Sequence, residues 1–240
     1  MKYLIFIFLF LTASVFSQEN QLEEKIKKEI KYNEDDYFSF EIKTLPNNPS
    51  NAIVALVKYN GVHESDGFDC DLILLLVEVS SGKTLQKMVF KNEYGSDAIT
   101  LTNVSLDMAN YKLKEGIRAF GIRSHYIGSS AVYPYESENL SLFMIQNNHI
   151  EKILDNFEAK LNNGETDLRC HSNTRESNSV FMLQKEKTNE FYNISVKTKV
   201  TIIKSVPSKT DEDDCIETKT ELKPTYKTLI YKNGKYSIKK

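Results

Sequence analysis

Hydrophobic residues recur along this chain with two different periods. Leu22, Ile26 and Ile30 return every four residues with Glu and Lys between them, which predicts a short amphipathic helix over about residues 20–32. From Tyr37 onward the period is two. Phe38, Phe40 and Ile42 alternate with polar residues until Pro46-Asn47-Asn48-Pro49 turns the chain, and Ala52 to Tyr59 reads as a second strand. A polar loop from His63 to Gly67 leads into the most hydrophobic segment, Leu72 to Val79. Its run Ile73-Leu74-Leu75-Leu76-Val77 has no polar face, so it predicts a central strand covered on both sides. Ser80-Ser81-Gly82-Lys83 closes a hairpin, and Leu85 to Phe90 returns.

Further strands are predicted at Ile99–Leu106, Ile117–His125 and Leu140–Gln146. In the first of these the apolar phase slips from Ile99/Leu101 to Val104/Leu106, which predicts a bulge near Asn103. Asn147-Asn148 is a hairpin turn into His149–Leu154. Ile150, Ile153, Leu154, Phe157 and Leu161 also fit a helical stripe, and the tight turn before them favours a strand. Near the C-terminus, Ile194 to Ile202 and Ile216 to Leu222 each keep one alternating phase, and Asn233-Gly234 joins Tyr226–Tyr231 to Tyr236–Ile238. About a dozen strands joined by short turns predict an all-β fold, mainly antiparallel, as a sandwich or barrel-like sheets with a short N-terminal helix. A small propeller is the alternative, although no fixed repeat period is present.

The N-terminus adds a compartment. Met1-Lys2 is a positive start, Tyr3 to Phe10 is an apolar run, and Val15-Phe16-Ser17 places small-enough residues for cleavage before Gln18. Residues 1–17 are therefore expected to be an export signal and 18–240 a single β-rich domain, periplasmic or secreted, with no membrane span after cleavage. Export permits disulfides. Cys170 and Cys215 lie in polar, loop-like sequence, whereas Cys70 opens the apolar strand, so Cys170–Cys215 is the favoured bridge. No two cysteines have zinc-ligand spacing.

Composition excludes more than it assigns. Lys and Arg total 31 against 33 Asp and Glu, a net charge of −2, which gives no nucleic-acid-binding character. There is no Gly-rich phosphate loop, no His-Glu-x-x-His helix and no Gly-x-Ser-x-Gly elbow, so no catalytic residue, metal ligand or cofactor is assigned. Gly128-Ser129-Ser130 reads as a turn, and His63, His125, His149 and His171 are scattered singly. Asp211 to Asp214 is an acidic loop tip. Thirteen Tyr and thirteen Phe occur without Trp, which weighs against a sugar-stacking surface. Tyr126, Tyr133 and Tyr135 fall in or beside a loop with Ser129 and Ser130. With Arg123 on the strand leading into it, they form the candidate recognition surface.

Several stretches stand in a familiar order: Ser96-Asp97-Ala98-Ile99, Asp107 to Leu113, Gly116 to Arg123, Tyr126 to Ser130, and Glu138 to Phe143. Over about residues 70–170 the chain resembles a family of uncharacterised exported bacterial proteins. The resemblance implies export and β character, and carries no catalytic residues. The expectation is an exported, non-enzymatic β-domain that binds a protein or a cell-envelope component. The alternatives are a hydrolase pairing Ser129 or Ser130 with a distant His, and an inhibitor or immunity-type protein presenting Asp211–Asp214 to a basic enzyme.

Overall fold

The computed structural model describes residues 21–61, 67–147, 149–210 and 214–239. The expected export signal and its cleavage point, most of the loop at 63–67, Asn148 and residues 211–213 of the acidic tip lie outside the described residues.

Residues 21–29 form helix α1, and the chain then enters a four-stranded antiparallel sheet ordered β1-β2-β3-β4. Its strands are β1 (Tyr37–Leu45), β2 (Asn48–Tyr59), β3 (Phe68–Glu78) and β4 (Thr84–Ser96). The continuous apolar run of β3 has the predicted cause. Leu72, Leu74 and Leu76 pack into a core with Phe120, Ile122 and Phe143 from the second sheet. Ile73, Leu75 and Val77, on the opposite face, are covered by Leu22 and Ile26 of α1. Burying Ile26 completely stabilises the helix against the sheet by about 2 kcal/mol.

The second sheet has nine strands and begins with β5 (Ile99–Lys114), β6 (Ile117–Gly128), β7 (Tyr135–Gln146) and β8 (His149–Thr166). It continues through β9 (Ser172–Thr188) and β10 (Phe191–Pro207) to β12 (Thr225–Lys232) and β13 (Lys235–Ile238). The remaining strand, β11 (Cys215–Glu221), pairs with the outer end of β10. The sheet folds back over its own core, bringing Leu142 and Leu154 against Ile194, Val196 and Leu229. β5 and β13 remain its two ends, so the sheet is not closed into a barrel. Two sheets facing across one core answer to the sandwich expectation, and no ring of repeated blades is present among the described residues.

Side chains also join the sheets. Lys152 on β8 pairs with Glu93 on β4, and its ammonium sits 4.9 Å from the centre of the Phe90 ring. Glu41 on β1 accepts a hydrogen bond from the Leu106 N–H at 2.7 Å, which occupies the outer edge of β5.

Local deviations follow the sequence closely. Leu101 pairs with Tyr126 but Asn103 with His125, so one extra residue sits in β5 where the phase slips. In β8 the register steps from Glu138↔Lys160 to Asn139↔Glu158, then from Leu140↔Phe157 to Leu142↔Leu154 and Phe143↔Lys152, which inserts three extra residues. Each insertion turns a two-residue spacing into three, which is why a bulged strand imitates a helical stripe. Asn233 and Gly234 take φ of 51° and 79°, as a type I′ turn requires. Sequence reading left out β9, whose seventeen residues carry few apolar side chains and are held by a nearly continuous ladder to β10. Cys170 and Cys215 form the favoured disulfide, with Cα atoms 5.2 Å apart, joining the β8–β9 turn to the start of β11. Cys70 is free and buried. Among the described residues no helix is long and apolar enough to cross a membrane.

Candidate functional site

Strand alternation on β6 places Arg123 on the face opposite Ser124 and Tyr126. There it meets charged residues from neighbouring strands. Arg123 Nε donates to Asp107 Oδ2 of β5 at 2.7 Å, and another guanidinium nitrogen pairs with Glu138 Oε1 of β7. Lys160 Nζ of β8 donates to Glu138 Oε2 at 2.9 Å. Tyr111 donates its hydroxyl to Asp107 Oδ2, and the Ala109 N–H donates to Oδ1, both at 2.8 Å. His125 lies with Nε2 3.4 Å from Glu138 Oε2. The pairing register carries this polar row across the sheet as His125↔Glu138↔Lys160↔Asn178.

Asp107 and Glu138 are both largely buried, and burial by itself would push both carboxyls up. Around Asp107 the Ala109 amide, the Tyr111 hydroxyl and Arg123 outweigh that cost; around Glu138, Lys160 and Arg123 do. Both therefore titrate below the usual carboxylate range. Burial, followed by the charge of Asp107, pushes the Tyr111 hydroxyl up. Burial works against the Arg123 charge, but Asp107, Tyr111 and Glu138 hold the guanidinium more firmly protonated than usual. Two cations offset two anions, and each carboxylate oxygen has a donor. Such a cluster stays ionised at neutral pH and is a weak proton acceptor, so it is suited to positioning and recognition rather than general base chemistry.

The cluster faces a groove of about 760 Å³, lined by Asn110, Tyr111, Arg123, Glu138, Lys160 and Phe181 among others. Its origin is topological. The β8–β9 ladder runs only from Lys160↔Asn178 to Thr166↔Ser172, whereas β9 stays paired with β10 as far as Thr188. Beyond Asn178, β9 therefore has a partner on one side alone. The ion pair of Lys114 with Glu190 ties the end of β5 to the β9–β10 turn at the far end. A smaller recess of about 230 Å³ shares Glu138 and Lys160 and contains Asn162, whose buried Oδ1 has no hydrogen-bond partner.

The sequence-predicted residues do not converge. Arg123 belongs to the groove. Tyr126 lies on β6 rather than in a loop, half-buried against the inter-sheet core. Tyr135 is the first residue of β7 and is half-buried, so the connecting loop shrinks to residues 129–134. Within it the Ser129 N–H donates to the Ala98 carbonyl, and Ser130 Oγ accepts from the Tyr133 N–H. Tyr133 is 65% exposed and borders a separate recess of about 480 Å³ with His171, Lys204 and Val206. Among the described residues no serine hydroxyl is hydrogen-bonded to a histidine ring, and no cluster of three or more His, Cys, Asp or Glu could hold a metal.

Asp107, Tyr111, Glu138 and Lys160 were missed as site residues. A signal was present for Arg123 alone, a charge inside the predicted strand Ile117–His125, where an inward charge needs a partner; Asp107 and Glu138 lie just outside the predicted strands Ile99–Leu106 and Leu140–Gln146. No family model, curated protein or solved structure matches the chain.

Proposed function

We propose that the chain is an exported β-domain that binds a macromolecule or cell-envelope component in the groove beside Arg123, Glu138 and Lys160. The observation that carries this reading is the unclosed second sheet: β8 leaves β9 at Asn178 and exposes a groove floored by a neutralised charge cluster. Grooves of this size, part apolar with a few fixed polar groups, are the usual form of binding sites. The Cys170–Cys215 bridge supports the compartment, because such bridges persist in oxidising surroundings. The resemblance over residues 70–170 points to the same compartment.

Val180 lines the groove and is 56% exposed, so Val180→Arg obstructs it with little cost to the fold. The purified protein is titrated with soluble peptidoglycan fragments, anionic lipid vesicles and uncharged peptides. One class should bind, and Val180→Arg should weaken it at least tenfold at unchanged melting temperature. Binding that ignores Val180→Arg, or hydrolysis of an ester panel abolished by Ser129→Ala, overturns the reading.

A further inference from the structure

We infer that the groove takes an extended polypeptide segment, uncharged and apolar at alternate positions, which adds as a strand to the free edge of β9 over residues 179–184. This rests on the groove being the binding site and specifies its partner.

The first ground is the open backbone of β9. β9 has neighbours on both sides from Ser172 to Asn178 and on one side only from Ser179 onward. In an antiparallel ladder alternate residues direct N–H and C=O to each side, so the free edge presents a regularly spaced row of donors and acceptors as far as Leu183, where the β9–β10 register breaks. Only another extended backbone matches such a row along its length.

The second is the absence of the usual protection. Natural edges are blunted by charges, proline or a covering segment. β11, at another border of this sheet, carries Glu217, Lys219 and Glu221 and is exposed throughout. The β5 edge is occupied at Leu106 by Glu41. From Ser179 to Gln184, by contrast, β9 has no charge at all, charges returning only at Lys185-Glu186-Lys187, and Val180, Met182 and Leu183 are 56%, 40% and 39% exposed. Alternation sends Val180 and Met182 to one face and Phe181 and Leu183 to the other. An added strand would therefore find apolar neighbours on both its faces.

The third is electrostatic. Asp107 and Glu138 are matched by Arg123 and Lys160, so the floor offers no net charge to attract an acidic or a basic segment. An uncharged strand of about six residues, the common strand length, suits it best.

The test uses the full chain and the capped decapeptide of alternating Ser and Val, with analogues carrying Glu or Lys in place of Ser. Binding is read by fluorescence anisotropy, and hydrogen exchange is followed at the amides of residues 179–184. The uncharged peptide should slow exchange of the outward amides in that stretch at least tenfold and bind more tightly than either charged analogue. N-methylation of its alternate residues should abolish binding for one parity and spare it for the other. Protection elsewhere, tolerance of N-methylation at both parities, or no binding by any of the peptides overturns strand addition. If an envelope fragment still binds and Val180→Arg blocks it, the groove stands as a site and only the strand proposal falls. If Val180→Arg affects no ligand, both fall. Concentration-dependent dimerisation that protects the same amides without peptide replaces the partner with a second copy of this chain.

Discussion

Arg123 and Tyr126 are three residues apart on β6 and stand on opposite faces of the sheet. An odd separation in a strand leaves no other outcome unless a bulge intervenes on that strand. Arg123 consequently shares its surroundings with Asp107 of β5 and Glu138 of β7, while Tyr126 helps cover the core between the sheets.

Removing the Arg123 guanidinium leaves two largely buried carboxylates short of their cation. Arg123→Leu should cost about 3 kcal/mol at pH 7, read from urea unfolding. In the native protein Asp107 and Glu138 titrate below their unfolded values, which lie near pH 4. Their contribution is complete above those values and is lost as pH falls through the lower folded ones. In Arg123→Leu the Ala109 amide and Tyr111 still hold Asp107 and Lys160 still holds Glu138, but both carboxyls rise toward their unfolded values, so less of the variant's stability is lost on acidification. The stability gap between native and variant should therefore narrow between pH 7 and pH 3. A gap that widens on acidification contradicts the assigned pairing.

Lys152 reaches Glu93 from one sheet to the other, and both side chains are nearly buried. Lys152→Met keeps much of the stem packing but strands the carboxylate, and should cost about 3 kcal/mol. Adding Glu93→Gln should return at least half of that loss. A double-mutant cycle by thermal melting gives the coupling, and additive losses would show that the sheets do not depend on this pair.

The Cys170–Cys215 bridge spans 45 residues, for which loop-closure entropy gives about 4 kcal/mol. The double Ser variant should lose between half and all of that stability. Burial, with Asp69 and then Asp71 nearby, pushes the Cys70 thiol up to about 12, so it should resist iodoacetamide at pH 8 in the folded protein. Mass spectrometry should find no alkylation before reduction and two modified sites, Cys170 and Cys215, afterwards. Rapid labelling of Cys70 would show that the inter-sheet core opens.

Tyr133 and Tyr135 separate by exposure. Tyr133→Ala should shift the melting temperature little, within about 0.5 kcal/mol of native stability, because its ring is in solvent. Tyr135 is half-buried at the start of β7, where a Cβ on Gly128 would come within 2.9 Å of its own Cβ. Tyr135→Ala should cost about 1–2 kcal/mol, below the loss for a fully buried aromatic ring. Equal losses at the two positions would contradict their different placements.

Much of the fold was legible because burial imposes a period on the residues that experience it. The apolar run of β3 announced a strand covered on both faces, and the phase slip near Asn103 announced its bulge. Asn233-Gly234 announced its turn, since those residues tolerate positive φ at low cost. β9 was not legible for the same reason in reverse: most of its side chains remain in solvent, so no period was imposed and backbone pairing to β10 does the work. The three extra residues in β8 broke its alternation into spacings that a helix also produces.

The sequence by itself determined the all-β class, the short N-terminal helix and the choice of Cys170 and Cys215, because each depends on local patterning of apolar and polar residues. Only the tertiary structure decided where the candidate site lies. Asp107, Arg123, Glu138 and Lys160 come together through the lateral order of four strands, which is a property of register and sheet topology. The groove beside them exists because one ladder stops at Asn178 while the next continues to Thr188. Where a backbone hydrogen-bond ladder ends is set by sheet twist and by bulges on the partner strand, and neither leaves a mark on the residues of β9 itself.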